Sequence, residues 1–73
     1  MKTAQQIRAS IRSFAWDITV GSGMAAEWAE LGHEPGADVF DALWRFLGRD
    51  VTADEARFFH GEWNRCLREA SQP

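Results

Sequence analysis

The residues best suited to nucleophilic or proton-transfer chemistry are His33, His60 and the single cysteine, Cys66. A nucleophile needs a base within hydrogen-bonding reach, and a metal site needs about four ligands at close spacing. No two of the three lie at the i, i+4 or Cys-x-x-Cys separation that such sites use. Cys66 also falls on the apolar side of a predicted helix, where a thiol is typically a small buried hydrophobe. The sequence therefore predicts no enzyme, no metal site and no cofactor.

Carboxylates three residues apart are the other arrangement that could perform chemistry, as an acid/base pair or as ligands of a divalent cation. Two such pairs occur, Glu27 with Glu30 and Asp38 with Asp41. Nothing in the sequence indicates the apolar pocket that would shift the pKa of either pair. We expect all four carboxylates to be solvated.

The acids are nevertheless concentrated in the middle of the chain. Residues 17–44 contain six acids and no base, residues 1–16 contain three bases and no acid, and the net charge is −3. Such a segment favours basic partners and repels the phosphate backbone of nucleic acids. The alternative is that these carboxylates only solvate the surface. The predicted acidic surface consists of Glu27, Glu30, Glu34, Asp38 and Asp41.

Helix start and stop signals divide the chain into four segments. Thr3 with Gln6 and Thr52 with Glu55 each form a capping box, Ser22 can cap the second segment, and glycines can end the second and third. No segment shows the alternation of apolar and polar residues that is typical of a strand. The prediction is an all-α fold, a compact bundle of four helices over about 4–20, 23–31, 36–47 and 53–70, in a single domain covering 1–73.

The apolar residues of these helices predict the core. The last helix has a clear apolar side, with Phe59, Trp63, Cys66 and Leu67. In the third helix the apolar residues, Trp44 and Phe46 among them, spread over a wide arc, which predicts that this helix is the central one. In the second helix Met24, Trp28 and Leu31 share a face.

Two large aromatic residues lie where an amphipathic helix should be polar. Trp16 and Val20 are opposite the apolar stripe of the first helix, and Phe58 lies among charged residues of the last. Either a neighbouring helix or loop covers them, or they anchor a partner, since aromatic residues and arginine dominate interface energetics. With Arg12 stacked beside Trp16, the predicted partner-binding residues are Arg12, Trp16, Val20, Phe58, Glu62 and Arg65.

Two classes of function remain. The first is a small, cytoplasmic, non-enzymatic regulator or inhibitor that binds a host protein or a second copy of itself as a homodimer. Its size and composition are typical of phage- and plasmid-encoded proteins that block host defences such as CRISPR. The second is a small dimeric DNA-associated transcriptional regulator. The acidic charge favours the first class and makes nucleic acid an improbable partner, and no apolar run long enough for a membrane span is present.

Overall fold

The computed structural model describes residues 2–71. Within this range it contains four α-helices and no strand, which confirms the predicted all-α bundle. The helices are α1 (Ala4–Thr19), α2 (Ala25–Leu31), α3 (Ala37–Leu47) and α4 (Ala53–Ser71). None of the described helices is long and apolar enough to cross a membrane.

The two predicted capping boxes start α1 and α4. The backbone N–H of Gln6 donates to Thr3 Oγ1 at 3.1 Å, and Gln6 Oε1 accepts from the Thr3 N–H at 2.8 Å. At α4, Thr52 and Glu55 make the same reciprocal pair, both bonds at 3.1 Å. Glu55 also accepts two hydrogen bonds from Arg49, which contribute most to lowering its pKa from 4.5 to about 2. The charged pair thereby fixes the α3–α4 connection to the start of α4.

The second helix begins later than predicted. Its N-cap is Met24, which has no side-chain cap, and α2 starts at Ala25. The Ser22 hydroxyl donates to the carbonyl oxygens of Ile18 and Thr19 at the end of α1, both at 2.9 Å, and its Oγ accepts from the N–H of Met24 at 3.3 Å. The predicted stop is correct: Gly32 has φ 67°, the left-handed conformation that glycine adopts without strain.

The core is centred on α4. Phe59 and Trp63 are fully buried. The ring of Phe59 contacts Phe14 of α1 and Phe40 of α3, with centroids 5.8 and 5.4 Å apart. Trp63 stacks on Trp28 of α2 at 5.1 Å with an interplanar angle of 13°. Two side chains one turn apart on α4 therefore contact the other three helices.

A partly buried hydrogen bond fixes the α2–α3 connection to the same helix. The indole Nε1–H of Trp63 donates to the carbonyl oxygen of His33 at 3.0 Å. The imidazole ring of His33 also lies 5.3 Å from the ring of Trp28. A buried indole needs such an acceptor, so this bond sets where the chain leaves α2.

The prediction that α3 is the central helix is wrong, because α4 has the most extensive packing, first with α1 and then with α2. Trp44 and Phe46 were expected in the core but are 50% and 52% exposed. They lie on either side of the fully buried Leu43, and α3 packs mainly against one helix, α1. The edges of its wide apolar arc therefore remain in solvent. In α2, Leu31 is 72% exposed and Trp28 packs against the core.

This packing predicts which aromatic residues stabilise the fold. Phe59→Ala and Trp63→Ala should each lower the free energy of unfolding by about 3 to 5 kcal/mol, because each leaves a cavity at the centre of the bundle. Trp44→Ala should cost about 1 kcal/mol or less, because half of that side chain is already in water. Urea unfolding followed by circular dichroism measures all three. A loss at Trp44 as large as the loss at Trp63 would contradict this description of the core.

Candidate protein-binding surface

Four of the predicted partner-binding residues contact one another between α1 and α4. Arg12 Nε donates to Glu62 Oε1 at 2.9 Å, and Arg65 Nε donates to Glu62 Oε2 at 2.6 Å. The guanidinium of Arg12 lies 5.8 Å from the centre of the Phe58 ring, and that of Arg8 lies 5.3 Å from it. We call Arg8, Arg12, Phe58, Glu62 and Arg65 the α1–α4 clasp. It joins two helices of this chain through ion pairs and cation–π contacts.

Glu62 is the centre of the clasp. The residue is 8% exposed, whereas the sequence suggested a polar rim position. Burial raises the pKa of its carboxyl. The hydrogen bonds and charges of Arg12 and Arg65 together lower the pKa by more than burial raises it, so it lies below its ordinary value. Both oxygens of the buried carboxylate accept a charged hydrogen bond, which is what a buried charge needs in order to be tolerated.

Trp16 and Val20, the other two predicted residues, lie outside the clasp. Trp16 is 43% exposed, so neither α2 nor a loop covers it fully. Val20 is partly buried and packs against the core, although helical geometry placed it beside Trp16. The Arg12 guanidinium lies over Phe58 and not over Trp16 as predicted, because Glu62 and Phe58 lie on that side of α1. A binding role for these six residues stays a prediction.

The exposed apolar surface is larger than the sequence indicated. Among residues 2–71, five large apolar side chains are more than a third exposed: Trp16, Met24, Leu31, Trp44 and Phe46. Sequence reasoning found only the first, because the others fit an apolar helix face. The signal that could have identified Trp44 and Phe46 was the width of the arc in α3, since one neighbouring helix cannot cover about 160° of a helix surface.

The predicted acidic surface is exposed along its whole length. Glu27 and Glu30 on α2, Glu34 in the connection, and Asp38 and Asp41 on α3 are all exposed. Within residues 2–71, none of these five carboxylates forms an ion pair, and the ion pairs of this range involve other acids. The negative charge of α2, α3 and their connection is therefore presented to solvent.

The candidate residues for chemistry are far apart or buried. Cys66 is fully buried, as predicted, and burial raises the pKa of its thiol. His60 is partly buried, and its Nε2 has no hydrogen-bond partner within the described chain. Among residues 2–71 no group of three or more histidines, cysteines or acids is arranged to hold a metal ion. What the structure offers to a ligand is therefore an exposed aromatic and acidic surface.

No protein-family model matches this chain, and no curated protein or solved structure is significantly similar to it.

The clasp predicts a pH-dependent contribution to stability. Because the pKa of folded Glu62 lies below its ordinary value, this contribution is complete above the unfolded pKa. It is lost as the pH falls through the folded pKa. Glu62→Gln should lower the free energy of unfolding at pH 7 by about 1.5 to 3 kcal/mol, the range for hydrogen bonds to charged groups, and should flatten the decline of that free energy below pH 5.

The matched control is Glu69→Gln, since Glu69 pairs with the same Arg65 but its side chain is 46% exposed. Exposed pairs contribute about 0 to 1 kcal/mol, so this variant should unfold almost as the wild type does. Urea titrations between pH 3 and 7 make the comparison. Equal losses in the two variants would show that burial of Glu62 is not what makes the clasp stabilising.

Proposed function

We propose that this protein is a small non-enzymatic regulator or inhibitor that acts by binding another protein through an exposed aromatic and acidic surface. The observation that supports this proposal is the exposure of five large apolar side chains within the described residues 2–71, from 37% for Met24 to 72% for Leu31. Apolar surface of this kind, rimmed by polar groups, is typical of protein interaction sites.

The energetics of the surface agree with this proposal. Burying one large apolar side chain contributes about 1.5 to 3 kcal/mol, and tryptophan is among the residues that most often dominate interfaces. A domain of this size also buries only about 60% of the surface of its unfolded chain, so a partner would add stability that its own core cannot provide. Trp16 and Trp44 are therefore the strongest candidates for anchors.

The alternative is a DNA-associated regulator that uses the basic side chains of α1 and α4. A surface depression of about 370 Å³ on α4 supports it. Three of the residues that line it are arginines, and the full lining is Arg57, Phe58, Gly61, Glu62, Arg65 and Arg68. Arg57 and Arg65, however, form ion pairs with acids of α4, which reduces the charge available for phosphates.

Removal of an exposed tryptophan should abolish partner binding without unfolding the protein. Wild type, Trp16→Ala and Trp44→Ala are used side by side to capture proteins from nuclease-treated bacterial lysate, with retained proteins identified by mass spectrometry. We expect a protein that the wild type retains and at least one variant loses at least tenfold. Phe58→Ala is unsuitable here, because it also removes the contacts of Arg8 and Arg12.

Melting temperatures of the same variants serve as the control. Both should melt within a few degrees of the wild type, since each side chain is already 43% or 50% exposed. If every captured protein is retained equally by all three forms, the exposed tryptophans are not anchors and the proposed function fails.

The DNA-associated alternative predicts salt-sensitive binding to duplex DNA. Arg8 and Arg68 are the residues to change, because neither forms an ion pair within residues 2–71. Arg12→Glu would place a second carboxylate against buried Glu62 and destabilise the fold. Under the protein-binding proposal, mobility-shift titrations at 50 mM salt should show no complex. A complex that weakens with salt and is lost in Arg8→Gln/Arg68→Gln would support the alternative.

A further inference from the structure

Trp16 and Trp44 are similarly exposed, at 43% and 50%, but they differ in the charges around them. Trp16 lies one turn from Arg12, whose guanidinium belongs to the clasp. Trp44 lies on α3 beside Asp41, three residues earlier on the same surface. The two indoles are therefore suited to different partners.

We propose that Trp44, Asp41 and the exposed Ala37 form a docking site on α3 for a cationic, arginine- or lysine-bearing segment of a partner protein. This inference rests on the proposed function and names the chemistry of the partner. Ala37, Asp41 and Trp44 are spaced by four and three residues, so they follow one line along the helix surface. All three residues are exposed.

Each part of the site matches a part of a cationic side chain. The face of an indole attracts a guanidinium or ammonium group, and a carboxylate beside it can accept a charged hydrogen bond from the same group. Both are available: within residues 2–71 no ring or guanidinium stacks on Trp44, and Asp41 forms no ion pair. Ala37, with its single methyl group, leaves room for a long aliphatic stem.

The surrounding charge selects the same partner. Asp38 adds a second exposed carboxylate to α3, Glu27, Glu30 and Glu34 are exposed in the segment that precedes it, and residues 17–44 contain no base. A negative potential attracts a basic segment over distances of about 8 to 10 Å. The base nearest to the site in sequence is Arg45, which makes no ion pair with Asp41. Arg45 is therefore the base of this chain that would compete with an incoming cation for the carboxylate of Asp41.

A second copy of this chain is a poorer occupant of the site. A symmetric contact centred on the Asp41 end of the site would place Asp38 and Asp41 of one copy near the same residues of the other. Like charges brought together in this way oppose association. A cationic segment gains from the same carboxylates.

The test uses the four indole N–H signals of the full chain in ¹H–¹⁵N NMR spectra, each assigned by a Trp→Phe variant. An octa-arginine peptide is the probe, and an octa-glutamate peptide is the control. We expect the Trp44 signal to shift saturably with octa-arginine, with little change at Trp16. The buried indole of Trp63, bonded to His33, provides an internal reference.

Three variants then test the individual contacts. Trp44→Ala should weaken the binding of octa-arginine at least fivefold, Asp41→Asn should weaken it about threefold, and Arg45→Gln should strengthen it about twofold. Trp16→Ala should leave the affinity unchanged. Asp41→Asn and Glu30→Gln each remove one negative charge. At a docking site Asp41→Asn should weaken the binding of octa-arginine more than Glu30→Gln does, whereas a general attraction between opposite charges would weaken it equally in both variants. The order of the affinities therefore distinguishes the two cases.

Several outcomes would overturn the proposal. The first is an equal loss of octa-arginine affinity in Asp41→Asn and Glu30→Gln, and the second is a larger shift of the indole signal of Trp16 than of Trp44. The third is a Trp44 signal that moves with protein concentration alone, which would indicate self-association. The proposed function survives such a failure if a lysate protein is still lost with Trp16→Ala, because the anchor then lies on α1. If the peptide binds as expected but no lysate protein depends on either tryptophan, the proposed function fails.

Discussion

The structure depends on the pair of aromatic side chains one turn apart on α4. Phe59 and Trp63 are fully buried, and between them they contact Phe14 of α1, Phe40 of α3 and Trp28 of α2. A chain this short has little apolar surface to bury. Because α1, α2 and α3 all contact the same two side chains of α4, one core holds the four helices together. The bond from Trp63 to the α2–α3 connection adds a directional constraint to this packing. The position of α3, and with it the site on its surface, follows from these contacts.

The same arrangement explains why so much apolar surface is exposed. Helix α4 packs against α1 and α2, and α3 packs mainly against α1. Only the middle of the apolar arc of α3 is then covered, where Leu43 is fully buried, and the flanking Trp44 and Phe46 remain half exposed. These rings are thus exposed because α3 packs mainly against a single helix. This packing leaves apolar side chains in solvent on a helix that is held in place by its other side.

Local signals in the sequence predicted more than its long-range patterns did. Both capping boxes and the glycine stop after α2 were predictable because caps depend on residues three or four apart. Which helix is central depends on contacts between distant segments, and the width of an apolar arc suggested α3 where the structure has α4. The burial of Glu62 was equally hidden, because it requires Arg12, which lies 50 residues away in the sequence. The position of Trp16 outside the core followed directly from helical geometry.

Exposed aromatic residues normally carry a risk of self-association, and the distribution of charge in this chain reduces it. Asp38 and Asp41 are exposed on the same helix as Trp44, so two copies that bring these carboxylates together oppose association. In the proposed docking, the indole of Trp44 covers the cation and the carboxylate of Asp41 pairs with it. The indole then supplies the larger part of the affinity, and the carboxylates discriminate between partners. The same charge that opposes a second copy of the chain favours a cationic segment, so one feature of the surface would both limit self-association and select the partner.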